Sequence, residues 1–336
     1  GGTGAGGDHP AAPIVAGVRL ASGEVLPAAA VVVAAGARAP LPRWLAALGV
    51  EVGEDEHQTG IVYLTRWYRT GAGWDAVIDG EELVRLAGDL GYLFYLAVPA
   101  DQHAFSLTMA IGATDEALRS QLLDPAAFDR AARALPLPSG LVDRLVPDGP
   151  VHRMGGLVNR LRRFTSADGR PLVLGVHAVG DTHTCTNPIY GRGCSLALVQ
   201  AVALTDAMMT HPTDSVARSL AYEDACRAQT QPWYHISVET DRARQARYQR
   251  DGQPGATSSP SVMDQLLRLG SDDPIVGRAI LRAVNLLATP QQLMNEPEVM
   301  TRVMELAAAG GGAAYARNRW AREGPTREEM IELTAA

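Results

Sequence analysis

Three cysteines in 336 residues, Cys185, Cys194 and Cys226, are too few and odd in number for a disulfide framework. The expectation is a reducing compartment, with the cytoplasm as the default. Positive charge is also scarce: 30 Lys+Arg stand against 37 Asp+Glu, a net charge of −7, so there is no electrostatic footprint for nucleic acid. The longest apolar run, Leu26 to Ala37, is too short to cross a bilayer, and its place between a turn and Arg38 suits a core strand. No membrane span is expected. Neither a C-x-x-C knuckle nor an H-x-x-x-H helix pair occurs, which counts against a zinc site made from His177, His183, Cys185 and Cys194. No internal repeat stands out, and no metal is expected.

What is present is a chain with 46% hydrophobic residues, enough for a sizeable core and for two domains. Ile14 to Leu20 and Val25 to Ala34 read as a hairpin around Ala21-Ser22-Gly23-Glu24, followed by a short helix at Trp44 to Leu48 and an acidic turn at Glu51 to Glu56. Ile61 to Thr70, Tyr92 to Val98 and Phe105 to Ile111 alternate as antiparallel strands should. Thr114 is placed to cap one helix, and Pro125 opens another that runs to about Ala134. Val151 to Phe164 reads as one long strand or hairpin arm. From Thr213 the pattern is helical, broken at Pro232 and by the Gly, Pro and Ser-rich stretch Asp251 to Pro260. Arg242, Arg244, Arg247 and Arg250 read as a solvated basic end, and Pro274 to Ala288 as an amphipathic packing helix.

The most informative block is Pro171 to Met208. An apolar, β-branched run, Pro171 to His177, reads as a buried strand that ends at Gly180-Asp181. A carboxylate at a strand's carboxyl end faces the crevice where α/β sheets bind ligands, and it can accept hydrogen bonds from a hydroxyl chain. Asn187-Pro188 then turns the chain, and Gly191-Arg192-Gly193 lets backbone approach a ligand before a helix starts near Cys194 and Ser195. The positive end of that helix, with bare amides, favours negative charge on whatever it faces. A nucleophilic role for Cys185 or Cys194 lacks a histidine partner at a persuasive spacing.

With Val31 to Val50, this block resembles the FAD-dependent oxidoreductases of the aromatic-hydroxylase, halogenase and geranylgeranyl-reductase superfamily, over roughly a fifth of the chain. The resemblance implies an FAD cofactor. Gly180 and Asp181 would hold the ribityl chain, Pro188 and Gly191 to Gly193 would border the ring, and the amides at Cys194 and Ser195 would meet its pyrimidine side. Ala35-Gly36 stands where many hydroxylases have Asp-Gly, and Ala39 where Ser is common, so the hydroxylase form of that motif is degraded. The implied fold is α/β (α+β): a partial three-layer FAD-binding domain (1–50 and 165–212), an inserted antiparallel substrate-binding sheet (51–164) and a helical C-terminal region (213–336). On the inserted sheet Tyr63, Arg66, Tyr68, Tyr92 and Tyr95 carry polar tips, and alternation turns about half of them away from any substrate.

The family opens with a strand, G-x-G-x-x-G and a helix. Gly2-Thr3-Gly4-Ala5-Gly6-Gly7 fits the pattern, but no strand precedes it and Pro10 and Pro13 follow where a helix should run. The sequence therefore reads as the C-terminal part of a longer protein, with weak or absent FAD retention expected of this chain alone. The implied partners are a small, apolar organic substrate and either NAD(P)H or a reductase. A second reading stays open, a non-catalytic remnant of a flavoprotein that serves as a binding or interaction module.

Overall fold

Alternating and β-branched segments in the first two thirds and periodic apolar segments in the last third give a mixed α/β chain. The computed structural model describes residues 12–71, 86–248, 273–309 and 324–335. In chain order the elements begin β1 (Gly17–Arg19), β2 (Val25–Pro27), β3 (Val31–Val33), α1 (Leu41–Ala46), β4 (Gly53–Gln58) and β5 (Ile61–Thr70). They continue with β6 (Ala87–Asp89), β7 (Leu93–Pro99), β8 (Ala104–Gly112), α2 (Glu116–Gln121), α3 (Pro125–Ala134), β9 (Leu145–Met154), β10 (Val158–Arg163), β11 (Val176–Ala178) and β12 (Thr184–Cys185). Helices follow: α4 (Gly193–Thr210), α5 (Ser215–Gln229), α6 (Gln231–Tyr248), α7 (Pro274–Val284), α8 (Pro290–Met294), α9 (Pro297–Ala308) and α10 (Arg327–Ala335). The Gly2 to Gly7 pattern, Arg250 and the Asp251 to Pro260 stretch lie outside the described residues.

The chain divides into two compact units, Gly1–His57 with Val158–Val238, and Gln58–Leu157 with Glu239–Ala336. In the first, β1 and β2 form the expected hairpin, while Val31–Val33 leaves it to pair in parallel with Val176–Ala178. The expected strand over Pro171 to His177 is shorter than its composition suggests. Gly175 adopts φ +75°, and a Cβ there would collide with the carbonyl oxygen of Val15, so regular pairing starts only at Val176. A second sheet has the order β12-β10-β4. The segment Glu51 to Glu56, expected as an acidic turn, lies largely in β4, because the facing strand carries Arg160, Arg162 and Arg163 against Glu54, Asp55 and Glu56. Cross-strand opposite charges stabilise a pairing that local propensity disfavours. All thirty basic side chains of this protein are arginine, and here their forked guanidinium groups each reach more than one acceptor.

The second unit is built on an antiparallel sheet with the order β6-β7-β8-β5-β9. One face, with Leu64, Tyr68, Leu93, Tyr95, Leu107 and Met109, packs on Leu118 of α2 and Leu122 just after it, Phe128 and Ala132 of α3, and Met330 of α10. Tyr68, Tyr92 and Tyr95 lie in this helix-covered core, and their hydroxyls donate to Asp129, to the Pro325 carbonyl and to the Pro136 carbonyl. Arg66 is paired with Asp129 at 2.5 Å and donates to the Pro125 carbonyl. The opposite face carries Trp67, Leu96 and Val98, all exposed, around a Thr65–Thr108 hydroxyl pair 2.7 Å apart.

Two local expectations are corrected. Asp115, not Thr114, caps α2, because its carboxylate accepts the Leu118 N–H. Val151 to Phe164 is two strands in two sheets, divided at Gly155-Gly156, where Gly156 takes φ +67°. Helix α4 is apolar nearly all round in composition. It packs on α5 through Ala203, Leu204 and Ala207, but Leu198, Val202 and Met209 stand exposed, since an all-apolar composition does not say which face is covered. By length and composition alone, α4 is also the one described helix able to cross a membrane. In the second unit Arg244 and Arg247, expected as a solvated basic face, are paired with Asp241 and Asp89.

Candidate functional site

The β11 strand ends at Ala178, and the Val179 N–H still donates to the Val33 carbonyl, so the chain leaves the parallel pair in a fixed direction. It then makes a tight turn, Gly180–Thr182. Gly180 has φ +65°, and a Cβ there would sit 3.3 Å from the Ala197 methyl, so glycine suits both the backbone and the close approach of α4. The turn is tied to the Gly36-Ala37 loop. Thr182 donates to the Gly36 carbonyl at 3.2 Å, and the Ala37 carbonyl accepts from Arg160 at 2.6 Å and from Arg162 at 3.4 Å.

Asp181 occupies the middle of the turn and is half-buried. Burial pushes its carboxyl up from the ordinary Asp value, and among the described residues it accepts no hydrogen bond. A Cβ added to Gly193 would lie 3.9 Å from Asp181 Oδ1, so this carboxylate lies beside the first residue of α4. The connection between them is shaped as the sequence suggests. Asn187 opens a short turn, Pro188–Tyr190, by accepting the Ile189 N–H, and Gly191 closes it at φ +64° in the left-handed region. Arg192 stands at the N-cap of α4 and makes no side-chain cap, so its side chain satisfies none of the first amides of that helix. Its guanidinium lies over the rings of Tyr190 and Trp233, 4.5 and 5.2 Å from their centroids.

Gly180, Asp181 and Gly193 are therefore brought together, with Cys194 and Ser195 exposed on the next positions of the helix. Pro188 and Gly191 shape the connecting loop, and Arg192 is engaged with aromatic rings. Two residues that sequence reasoning passed over take part in holding the site, Gln200 and Arg162. Gln200 accepts the Gly180 N–H at 2.6 Å, and Arg162 donates to the Thr182 carbonyl at 2.8 Å. A signal for Arg162 existed in the matched spacing of Glu54/Glu56 and Arg160/Arg162 along two strands; none existed for Gln200.

Below the turn lies a polar core. His183 Nδ1 is 2.7 Å from Thr184 Oγ1 and Nε2 is 3.5 Å from Glu223, while Tyr222 donates to the Ala178 carbonyl. No group of three His, Cys, Asp or Glu side chains close enough to hold a metal occurs among the described residues. Burial pushes the Cys185 thiol up to about 11, with the Asp181 charge adding to the effect, and the Cys226 thiol up to about 12. Iodoacetamide at about pH 8 is therefore expected to modify exposed Cys194 first, with Cys185 slower by roughly a hundredfold. Peptide mass spectrometry over a time course checks this; equal rates at Cys185 and Cys194 would contradict it.

No protein-family model matches the chain, and no curated protein does. Among solved structures, it superposes on the flavin-dependent brominase Bmp2 with a TM-score of 0.51 and 14% identity, over 88% of this chain and 64% of that one. The chain has the Bmp2 fold. PqsL, a probable FAD-dependent monooxygenase from Pseudomonas aeruginosa, matches over 70% of this chain and 62% of its own, with 19% identity and a TM-score of 0.49. CmlS, a flavin-dependent halogenase, matches over 85% and 51%, with 15% identity and a TM-score of 0.49. The chain thus spans less than two thirds of each of these proteins, and at such identities the Bmp2 likeness bears on fold alone.

Proposed function

We propose that this chain is the flavin-ring and substrate-binding part of an FAD-dependent oxidoreductase acting on a small, apolar organic molecule. The observation that carries the reading is the Asp181 carboxylate, half-buried, without a hydrogen-bond partner among the described residues, and set beside the uncapped start of α4. A half-buried acceptor with no internal partner is open to donors from a ligand, and the hydroxyls of a ribityl chain supply them. The residues present fit that group: Asp181 would bind the hydroxyls, Gly191 to Gly193 would let the ring lie against backbone, and the Cys194 and Ser195 amides would face its electron-rich edge. When bound, the cofactor supplies hydride transfer or oxygen activation. The exposed sheet face of Trp67, Leu96 and Val98, with Thr65 and Thr108 as hydroxyl contacts, offers a flat apolar surface to a substrate. Electrons would come from NAD(P)H or from a reductase.

Adding FAD to the full chain and reducing it anaerobically tests the proposal. The expected result is a shifted flavin absorbance band that bleaches on reduction and depends on protein concentration. The spectrum of free flavin throughout would favour the alternative, a fold retained as a binding or interaction module.

A further inference from the structure

The turn carrying Asp181 is gripped on both sides by buried side chains, while the Asp181 carboxylate between them accepts no hydrogen bond among the described residues. On the α4 side stands Gln200, 0% exposed. Its amide oxygen accepts the Gly180 N–H at 2.6 Å, and its amide nitrogen donates to Thr184 Oγ1 at 3.2 Å and Thr230 Oγ1 at 3.3 Å. With its oxygen and nitrogen both engaged, the amide has one orientation. On the β10 side stands Arg162, 4% exposed. It donates through Nη1 to the Thr182 carbonyl at 2.8 Å, through Nε to Glu54 at 2.7 Å and through Nη2 to the Ala37 carbonyl at 3.4 Å.

The Glu54 pairing helps hold β10 against β4, but it does not require Arg162 to reach the Thr182 carbonyl as well. A buried ion pair adds little net free energy over an apolar side chain of similar volume, and a buried amide must recover its own desolvation through its hydrogen bonds. What the pair provides is geometry: the residue before Asp181 is fixed through its N–H and the residue after it through its carbonyl. We propose that Gln200 and Arg162 are positioning residues that hold the Asp181 carboxylate in register with the hydroxyl chain of a bound flavin. The inference rests on the flavin reading of this site.

The test compares riboflavin, which has the ribityl chain, with lumiflavin, which has the ring and no chain, as ligands of the full chain. Gln200→Met is expected to weaken riboflavin about tenfold and leave lumiflavin within about twofold, because only the hydroxyl chain meets Asp181. In an Asp181→Ala background Gln200→Met should cause no further loss, the signature of two residues acting through one contact. Gln200→Glu, which keeps the acceptor for the Gly180 N–H, should recover part of the riboflavin affinity. Arg162→Lys keeps a charge for Glu54, cannot reach the Thr182 and Ala37 carbonyls as well, and should behave like Gln200→Met; it serves if Arg162→Met fails to fold. Equal losses for both ligands, or additive losses with Asp181→Ala, would reduce both residues to general structural support and overturn the inference. If the unaltered chain binds riboflavin and Gln200→Met binds it equally well, the inference fails while the flavin reading stands. If the unaltered chain binds neither ligand, both fall.

Discussion

Asp129→Ala is expected to destabilise the second unit by about 3–5 kcal/mol, the cost of removing one partner from a buried ion pair. Asp129 meets the Arg66 guanidinium at 2.5 Å with both side chains largely buried, and it also accepts the Tyr68 hydroxyl at 2.8 Å. Tyr68 is 1% exposed, and burial together with that hydrogen bond pushes its phenol well up. Deleting the carboxylate strands a cation and a hydroxyl at the seam between β5 and α3. Replacing all three, as in Arg66→Met with Tyr68→Phe and Asp129→Leu, should cost much less, since no unpaired polar group is left in the core. Urea unfolding followed by circular dichroism checks both variants. A loss below about 1 kcal/mol for Asp129→Ala would mean that water reaches the triad and screens it as on a surface.

Acidification should weaken the first unit by about 3 kcal/mol through His177 alone, between pH 6.5 and about pH 4. His177 is 4% exposed, its Nε2 finds no hydrogen-bond partner among the described residues, and its ring meets Tyr222 edge-on at 5.7 Å. Burial holds its pKa down at about 4, the Arg218 charge adds to this, and Glu223 opposes it. The folded-state value is depressed, so the unfolded chain takes up the proton first. Stability is complete above pH 6.5, falls as the pH drops below it, and reaches its floor below about pH 4. His177→Phe removes this one-proton linkage without sacrificing a hydrogen bond at Nε2. Urea midpoints measured across this range should fall less steeply for His177→Phe than for the unaltered protein; parallel curves would show that His177 titrates as freely in the fold as outside it.

The sheet of the second unit was legible because period-2 alternation in Ile61 to Thr70, Tyr92 to Val98 and Phe105 to Ile111 has one physical meaning, one buried face. Alternation does not say which face the helices cover, and that is why Tyr68, Tyr92 and Tyr95, attractive as substrate contacts, lie in the core, while Trp67, Leu96 and Val98 remain outside. Strand β9 was hidden in part by Pro147, Gly149 and Pro150, which an edge strand tolerates and an interior one does not. At the candidate site, the glycines and Asp181 could be read locally, because turns and helix starts have local chemistry. Gln200 could not, and Arg162 only through its charge match with Glu54: each acts on the Gly180–Thr182 turn across about twenty residues of sequence, Gln200 from α4 and Arg162 from β10.

The central claim, that Asp181 anchors a flavin beside the start of α4, is tested most directly by fluorescence titration of FAD with the full chain, unaltered and Asp181→Ala side by side. The account predicts weak but saturable quenching by the unaltered chain and an affinity lower by roughly thirtyfold in the variant, equivalent to about 2 kcal/mol for hydrogen bonds to a charged acceptor. Superimposable titrations, or no saturation by the unaltered chain, would contradict it.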